Sequence, residues 1–151
     1  MKKKMGKEVY ALSDLQKFRE TAGDIHPPVR LGVFGDPVAH SLSPPMQNAA
    51  LTHAGIDAQY ARFHILPNEL KDALHLVREL NFIGINLTVP HKIEAVRLVD
   101  ELDDEAKRIG AINTVAVRGG KLSGFNTDGA GLARAIRSEF SVDLHDLRIM
   151  L

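Results

Sequence analysis

The feature that most constrains the fold is an alternation of short apolar runs with longer segments of helical periodicity. Apolar runs of strand length occupy 29–34, 58–65, 82–89, 112–117 and 121–125. Segments with apolar residues three or four positions apart occupy 44–54, 68–80 and 130–140. Strands that alternate with helices of this length are typical of a largely parallel sheet with helices on both faces. We therefore predict an α/β fold of three layers.

Glycine and capping residues predict where some of these elements begin and end. Gly119-Gly120 separates two strand-like runs and indicates a hairpin, so at least one strand must be antiparallel. Ser13 is predicted to cap a first helix that ends at Gly23. Thr127 or Asp128 is predicted to cap the helix at 130–140.

Composition limits the classes of function. The 151 residues suit one domain, and 19 lysines and arginines balance 19 aspartates and glutamates, so no net field attracts nucleic acid or anionic lipid. The absence of cysteine excludes disulfides and thiolate metal sites and agrees with a reducing, cytoplasmic compartment. No apolar run approaches the roughly 20 residues of a membrane span. Seven histidines show no paired metal-ligand spacing, so no metal is expected.

Four short polar motifs stand at predicted strand ends or helix starts. They are Ser-Leu-Ser-Pro at 41–44, Asn-Leu-Thr-Val-Pro-His-Lys at 86–92, Gly-Ala-Ile-Asn-Thr at 110–114 and Asn-Thr-Asp-Gly at 126–129. Polar groups at such edges can converge on one small polyhydroxylated ligand. The motifs therefore predict a site for a small molecule.

The first motif suits an anion. Ser41 and Ser43 are two positions apart in an extended loop, so their side chains point to the same side. They precede a helix start, where free N–H groups and the helix dipole favour a ligand carboxylate. The alternative is that Ser43 is only the N-cap of that helix.

The second motif places an amine near the same edge. Asn86 and Thr88 share one side of a strand, and Pro90 directs the chain into the helix that carries Lys92. A lysine in the first turn of a helix is repelled by the helix dipole, so its position favours a functional role. The alternative is a lysine that extends into solvent.

The last two motifs add an amide and a carboxylate. Asn113 lies within an apolar strand, where an unsatisfied amide costs about 1–3 kcal/mol, so it needs a partner from the protein or a ligand. Asp128 is either a functional carboxylate or simply a helix N-cap.

In this order and spacing, the four motifs resemble the pattern of the shikimate dehydrogenases, the NADP-dependent enzymes of the shikimate pathway, which leads to chorismate and the aromatic amino acids. The resemblance covers about 31–151, and Asn-x-Thr-Val-Pro-x-Lys is its most specific part. It implies an oxidoreductase that reversibly reduces 3-dehydroshikimate to shikimate with NADPH.

The resemblance also implies roles for individual residues. Ser41 and Ser43 would bind the shikimate carboxylate, and Lys92 with Asp128 would form the catalytic pair. The remaining implied contacts are with ring hydroxyls for Thr88, Asn113 and Asp128, with the pocket wall for Asn86, and with the cofactor for Asp104. His91 and Gln47 depart from residues common in the family, which affects only fine substrate preference.

The resemblance implies three segments in the chain. These are a tail and first helix at 1–28, a shikimate-binding catalytic domain at 29–146, and the truncated start of an NADP-binding Rossmann domain at 147–151. The glycine-rich segments at 119–120 and 129–131 do not match a dinucleotide fingerprint. The isolated chain is therefore expected to bind shikimate weakly and to lack turnover.

Two alternatives remain open at the level of sequence. One is a quinate/shikimate dehydrogenase that uses NAD or NADP. The other is a non-catalytic binding module that retains the pocket. In addition, the strand edge at 147–151 can pair with a second copy of the chain to give a homodimer.

Overall fold

The computed structural model describes residues 6–148, and these form seven strands and seven α-helices. The strands are β1 (Tyr10–Ala11), β2 (Val29–Gly35), β3 (Gln59–His64), β4 (Gly84–Leu87), β5 (Glu101–Leu102), β6 (Thr114–Arg118) and β7 (Lys121–Phe125). The helices are α1 (Leu12–Gln16), α2 (Phe18–Ala22), α3 (Ser43–His53), α4 (Leu70–Glu79), α5 (His91–Glu94), α6 (Asp104–Ile109) and α7 (Asp128–Phe140). Short 3₁₀ turns occupy Pro67–Glu69, Ala95–Arg97 and Leu144–Asp146.

The strands form one mixed sheet in the order β1-β3-β2-β4-β6-β7-β5. β6 is antiparallel to both of its neighbours, and every other pairing is parallel. The prediction of a mostly parallel sheet with one antiparallel hairpin strand is confirmed. Gly119 and Gly120 form the hairpin turn with φ values of 56° and 77°, which glycine adopts at little cost.

Helices pack on both faces of the sheet. Neighbouring strand residues point to opposite faces, and Phe34 and Val33 of β2 belong to different apolar clusters. Phe34 packs in the main core, which includes Leu15 of α1 and Leu74 of α4. Val33 packs with Leu51 of α3 on the other face. The three-layer prediction is therefore confirmed.

The first helix starts earlier than predicted. α1 begins at Leu12, and the carboxylate of Asp14 accepts the N–H of Ala11 at 2.9 Å. That hydrogen bond satisfies a donor before the helix, so the prediction of Ser13 as the cap is wrong. The helical segment breaks at Lys17 and ends before Gly23, as the glycine predicted.

Other boundaries also differ from the sequence pattern. The helix after Pro90 begins at His91 and is only one turn long before it becomes a 3₁₀ turn. Residues 10–25 contribute β1, Leu15 and Ile25 to the same sheet and core as the rest of the chain. The strand predicted at 147–151 lies mostly outside the described residues, and 147–148 are not in a strand.

Candidate functional site

The topology brings all four polar motifs to one edge of the sheet. β2, β4 and β7 are parallel and end at this edge, where the motifs at 41–44, 86–92 and 126–129 follow them. β6 is antiparallel and starts at the same edge, so Asn113 lies between the ends of β4 and β7. Its backbone accepts from Leu87 N–H and donates to the Phe125 carbonyl. The carboxyl edge is therefore the candidate site.

An ion pair stands at this edge. The Lys92 Nζ of α5 lies 2.6 Å from Asp128 Oδ2 at the start of α7. The side chains are 33% and 54% exposed, so a ligand can reach both. The hydrogen bond from Lys92 lowers the pKa of Asp128, and a second hydrogen bond from Asn113 lowers it further. The carboxylate is therefore ionised at neutral pH and holds the amine in place.

The structure matches neither of the purely structural alternatives for this pair, a solvent-exposed lysine and a carboxylate that only caps a helix. Lys92 does not simply extend into solvent, because it is bound to Asp128. The carboxylate of Asp128 is not the cap of α7 either. Asn126 takes that role: its Oδ1 accepts the N–H groups of Asp128 and Gly129 at 3.0 and 3.4 Å. Thr127 occupies the N-cap position, as predicted, but its side chain makes no capping hydrogen bond, and Asn126 supplies the acceptor instead.

The amide of Asn113 is satisfied within the protein. Its Nδ2 donates to Asp128 Oδ1 and to Thr127 Oγ1, both at 2.8 Å. Its Oδ1 accepts from Thr114 Oγ1 and from the Thr127 N–H, each at 3.0 Å. Both amide protons are thus in use, and one of them orients the carboxylate of Asp128. A ligand hydroxyl would have to replace Thr127 as a partner.

Asn86 is held by a residue that the sequence analysis did not single out. Its Nδ2 donates to Thr114 Oγ1 at 3.0 Å, and its Oδ1 accepts from the hydroxyl of Tyr60 at 2.8 Å. Tyr60 is 5% exposed, and burial raises the pKa of its phenol far above the usual range. The side chain of Ser43 lies close enough to this hydroxyl to act against the rise in its pKa. Tyr60 therefore links the serine loop to the centre of the site.

The serines line an open cavity of about 270 Å³. Ser41, Ser43 and Thr88 contribute its hydroxyl groups, whereas Leu42 points away and is 79% exposed. Within the described residues, the Thr88 hydroxyl makes no hydrogen bond and so is free to meet a ligand. The other wall residues are Val33, Pro37, Val38 and His40.

The helix start beside this cavity offers fewer donors than predicted. Ser43 is the first residue of α3 and not its N-cap. The Ser43 N–H already donates to Ser41 Oγ at 3.3 Å, and the next two residues are prolines, which have no N–H. The expected row of free backbone N–H groups is therefore wrong, and side chains must supply most of the attraction for an anion.

The sequence motifs also singled out His91 and Asp104, which have different surroundings. His91 is buried, its Nε2 lies 2.8 Å from the carbonyl oxygen of Ile65, and burial lowers its pKa. It thereby anchors α5 to the end of β3. Asp104 is 93% exposed at the start of α6, beyond the end of β5, and contacts Lys107 at 3.3 Å.

Residues 6–148 include no group of three or more side chains suited to hold a metal ion. No helix in this part of the chain is long and apolar enough to cross a bilayer. The fold and the site together define an α/β domain with a lysine–carboxylate pair and a hydroxyl-lined cavity at one edge of its sheet.

Comparison with known proteins identifies the family. Residues 33–115, more than half of the chain, match the family described as the shikimate dehydrogenase substrate binding domain. The chain belongs to this family.

Individual relatives agree with this assignment. The chain is 50% identical over 119 residues to the shikimate dehydrogenase (NADP(+)) of Geobacillus sp. (strain WCH70), a match that covers 79% of the chain and 43% of the relative. It resembles the shikimate 5-dehydrogenase of Thermus thermophilus, solved with NADP(H) and shikimate. That match has 43% identity and a TM-score of 0.68 and covers 73% of this chain and 42% of the other.

A relative with a different name has a similar structure. The ligand-free 5-ketofructose reductase of Gluconobacter sp. strain CHM43 matches with a TM-score of 0.70 and 34% identity, over 74% of this chain and 40% of the other. The chain thus spans less than half the length of each of these three proteins.

Proposed function

We propose that this chain is the substrate-binding part of an NADP-dependent shikimate dehydrogenase, which reversibly reduces 3-dehydroshikimate to shikimate. The family membership and the relatives' names support this proposal. The observation that carries it is the 2.6 Å pair of Lys92 and Asp128 at the same sheet edge as the hydroxyl-lined cavity.

The geometry suggests a division of roles. Ser41 and Ser43 bind the ligand carboxylate, and Thr88 offers a free hydroxyl to the ring. Lys92, as an ammonium, donates a hydrogen bond to the ketone oxygen, stabilises the developing alkoxide and delivers a proton. Asp128 orients Lys92 and accepts from an adjacent ring hydroxyl.

The two asparagines support these groups. Asn113 orients Asp128 and offers its amide to a ring hydroxyl when Thr127 is displaced. Asn86 lines the pocket and is itself fixed by Tyr60. Asp104 is exposed beyond the end of β5, where we propose that it contacts the cofactor.

NADPH, when bound, supplies the hydride. The glycines of this chain serve other purposes, since Gly119-Gly120 forms a hairpin turn and Gly129 and Gly131 lie inside α7. No glycine-rich dinucleotide loop is present in the part of the chain that the structure describes. We therefore propose that NADP is bound mainly by the part of the relatives' length that this chain does not match.

A fusion experiment tests the proposal. The chain is joined to the remaining, unmatched part of the Geobacillus relative, and turnover is measured with shikimate and NADP. We expect turnover in the fusion, and Lys92→Met should lower kcat about 100-fold or more with a much smaller change in KM. Lys71→Met, on the exposed surface of α4, is the matched control.

Three outcomes would count against the proposal. Shikimate binding without turnover in a folded fusion would favour a non-catalytic binding module. Equal effects of Lys92→Met on kcat and KM would make Lys92 a binding residue only. Turnover of a neutral ketose in preference to 3-dehydroshikimate would favour a second candidate, which the similarity to a 5-ketofructose reductase supports.

We also propose that the protein acts in the cytoplasm, on the basis of its lack of cysteine and the biosynthetic reaction. Its charge balance favours a small-molecule enzyme without nucleic-acid or membrane partners. We also propose that the protein forms a homodimer, and sedimentation that shows only monomers would contradict this.

A further inference from the structure

Three polar residues alternate along one face of β3 and hold the loop at 36–43. His64 Nε2 lies 2.7 Å from Asp36 Oδ1 at the beginning of this loop. The hydroxyl of Tyr60 lies close to Ser43 at the end of the loop. Arg62 lies between them and contacts Ser41. Residues two apart on a strand share a face, so one strand positions the whole serine loop.

Arg62 makes an unusual contact for an arginine. Its Nε and Nη2 both donate to the backbone carbonyl of Ser41, at 3.0 and 2.7 Å. A guanidinium has five N–H donors, so three remain without a partner among the described residues. Unlike Arg78 and Arg137, which pair with aspartates, Arg62 has no carboxylate within 4.0 Å in the described part of the chain. Its positive charge is therefore not neutralised by a neighbouring side chain.

Arg62 lies directly behind the serine cavity. In the parallel pairing of β2 with β3, Arg62 is the register partner of Val33, and Val33 lines the cavity. Neighbouring strands are about 4.8 Å apart, and in-register side chains share a face. Arg62 does not line the cavity itself, so it acts on a ligand through Ser41 and through its charge.

The charge of Arg62 is important because the backbone at the start of α3 offers a ligand carboxylate few free N–H donors. The Ser43 N–H is already bound, and Pro44 and Pro45 have no N–H. The carbonyl of Ser41, which would repel a ligand carboxylate, is occupied by Arg62. Without Arg62, the Ser41 carbonyl would lose both of its N–H donors, and the positive charge next to the cavity wall would be absent.

We propose that Arg62 is a positioning residue that makes the Ser41–Ser43 cavity prefer a carboxylate to an uncharged group of the same shape. The identity of the preferred ligand as shikimate rests on the proposed function above. The charge preference itself follows from the arrangement of Arg62, Ser41 and the two prolines.

The test compares shikimate with its uncharged methyl ester. Their dissociation constants for the 151-residue chain are measured by NMR titration, together with those of cyclohex-1-ene-1-carboxylate, which lacks ring hydroxyls. We expect wild type to bind shikimate about tenfold more tightly than the ester. Arg62→Met should reduce this ratio to about twofold or less, and salt should then weaken shikimate binding less than it does in wild type.

Two variants separate charge from structure. Arg62→Lys keeps the charge but loses the two-donor contact, so it should retain part of the preference. Arg30→Met is the matched control, because Arg30 is also a strand arginine whose Nε donates to a backbone carbonyl, that of Asn81, at 2.9 Å. Arg30→Met should leave the ratio of the ester and shikimate dissociation constants at its wild-type value.

Each outcome decides one of the two proposals. Equal loss of shikimate and ester binding in folded Arg62→Met would show a purely structural role and overturn the inference. A ratio of the ester and shikimate dissociation constants that is the same in Arg62→Met as in wild type would also overturn the inference. Arg62-dependent binding of cyclohexene carboxylate without shikimate binding would support the inference and contradict the proposed function. A wild-type chain that binds neither carboxylate would overturn both.

Discussion

At the scale of single residues, the site depends on hydrogen bonds that hold each functional group in one orientation. Asp128 accepts from Lys92 on one oxygen and from Asn113 on the other. Asn86 is fixed between Thr114 and Tyr60. Such a site is preorganised, because little rotation of these side chains is needed when a ligand arrives.

The ionisation of Asp128 gives a direct test of this arrangement. The Lys92 hydrogen bond holds its pKa below the usual 3.8, so the ion pair contributes stability above that value and loses it as pH falls through the lowered pKa. In an NMR titration of the side-chain carboxyl carbons, Lys92→Met should move the pKa of Asp128 back up. The pKa of Asp143, lowered by hydrogen bonds from His145, should not change. If the pKa of Asp128 is the same in Lys92→Met as in wild type, the ion pair is contradicted.

The link through Tyr60 predicts a difference between the two tyrosines. Tyr60→Phe removes the donor to Asn86 and the hydroxyl beside Ser43, so it should lower stability by about 1–3 kcal/mol and also weaken shikimate binding. Tyr10→Phe removes the hydroxyl of a similarly buried tyrosine, which accepts from the N–H of Lys7, so it should affect stability alone. Chemical denaturation and NMR titration measure the two effects. If Tyr60→Phe and Tyr10→Phe bind shikimate equally tightly, Tyr60 does not link the serine loop to the site.

At the scale of elements, short loops and helix starts position the chemistry. α5 is a single turn that His91 ties to β3, and α7 begins at Asp128 itself. α7 has no buried residue in this chain, and Leu132 and Phe140 are 64% and 68% exposed. Its position therefore depends on its first turn, where Asn126 binds two N–H groups.

Asn126 is accordingly predicted to control the start of α7. Asn126→Ala removes the acceptor for Asp128 and Gly129 and the donor to the Ala111 carbonyl. We expect a loss of about 1–2 kcal/mol and faster amide exchange over 128–131. Ser138→Ala, at an exposed position of the same helix, is the control and should change neither the stability nor the amide exchange over 128–131. Unaltered exchange in Asn126→Ala would show that the first turn is held by other contacts.

At the scale of the whole molecule, the strand order assembles the site. β2, β3, β4 and β7 run in one direction and β6 in the other, so loops far apart in the chain meet at one edge. Tyr60 reaches Asn86 across β2, and Lys92 reaches Asp128 across β6, because the strand order and register bring these side chains together at one edge. The fusion experiment belongs to this scale, since it asks whether this edge is sufficient to place the substrate when a cofactor-binding part is added.

Much of the fold was predictable because the relevant signals are local. Apolar periodicity and glycine pairs are set by neighbours within a few positions, and they located most strands, α3, α4, α7 and the hairpin. The predicted start at Ser13 was wrong, because Asp14 binds the N–H of Ala11 and the helix begins earlier. Thr127 was correctly placed at the N-cap of α7, but the capping acceptor is the side chain of Asn126.

The α/β class, the antiparallel hairpin and the candidate residues of the four motifs follow from the amino-acid sequence, since each depends on a short-range pattern. Which polar groups are hydrogen-bonded and which are free became clear from the folded arrangement. Tyr60 and Arg62 carried no local signal, and the satisfied amide of Asn113 depends on Thr127 and Asp128 across the edge. The physical reason is that hydrogen bonds between distant segments are set by strand order and register, which no short stretch of residues encodes alone.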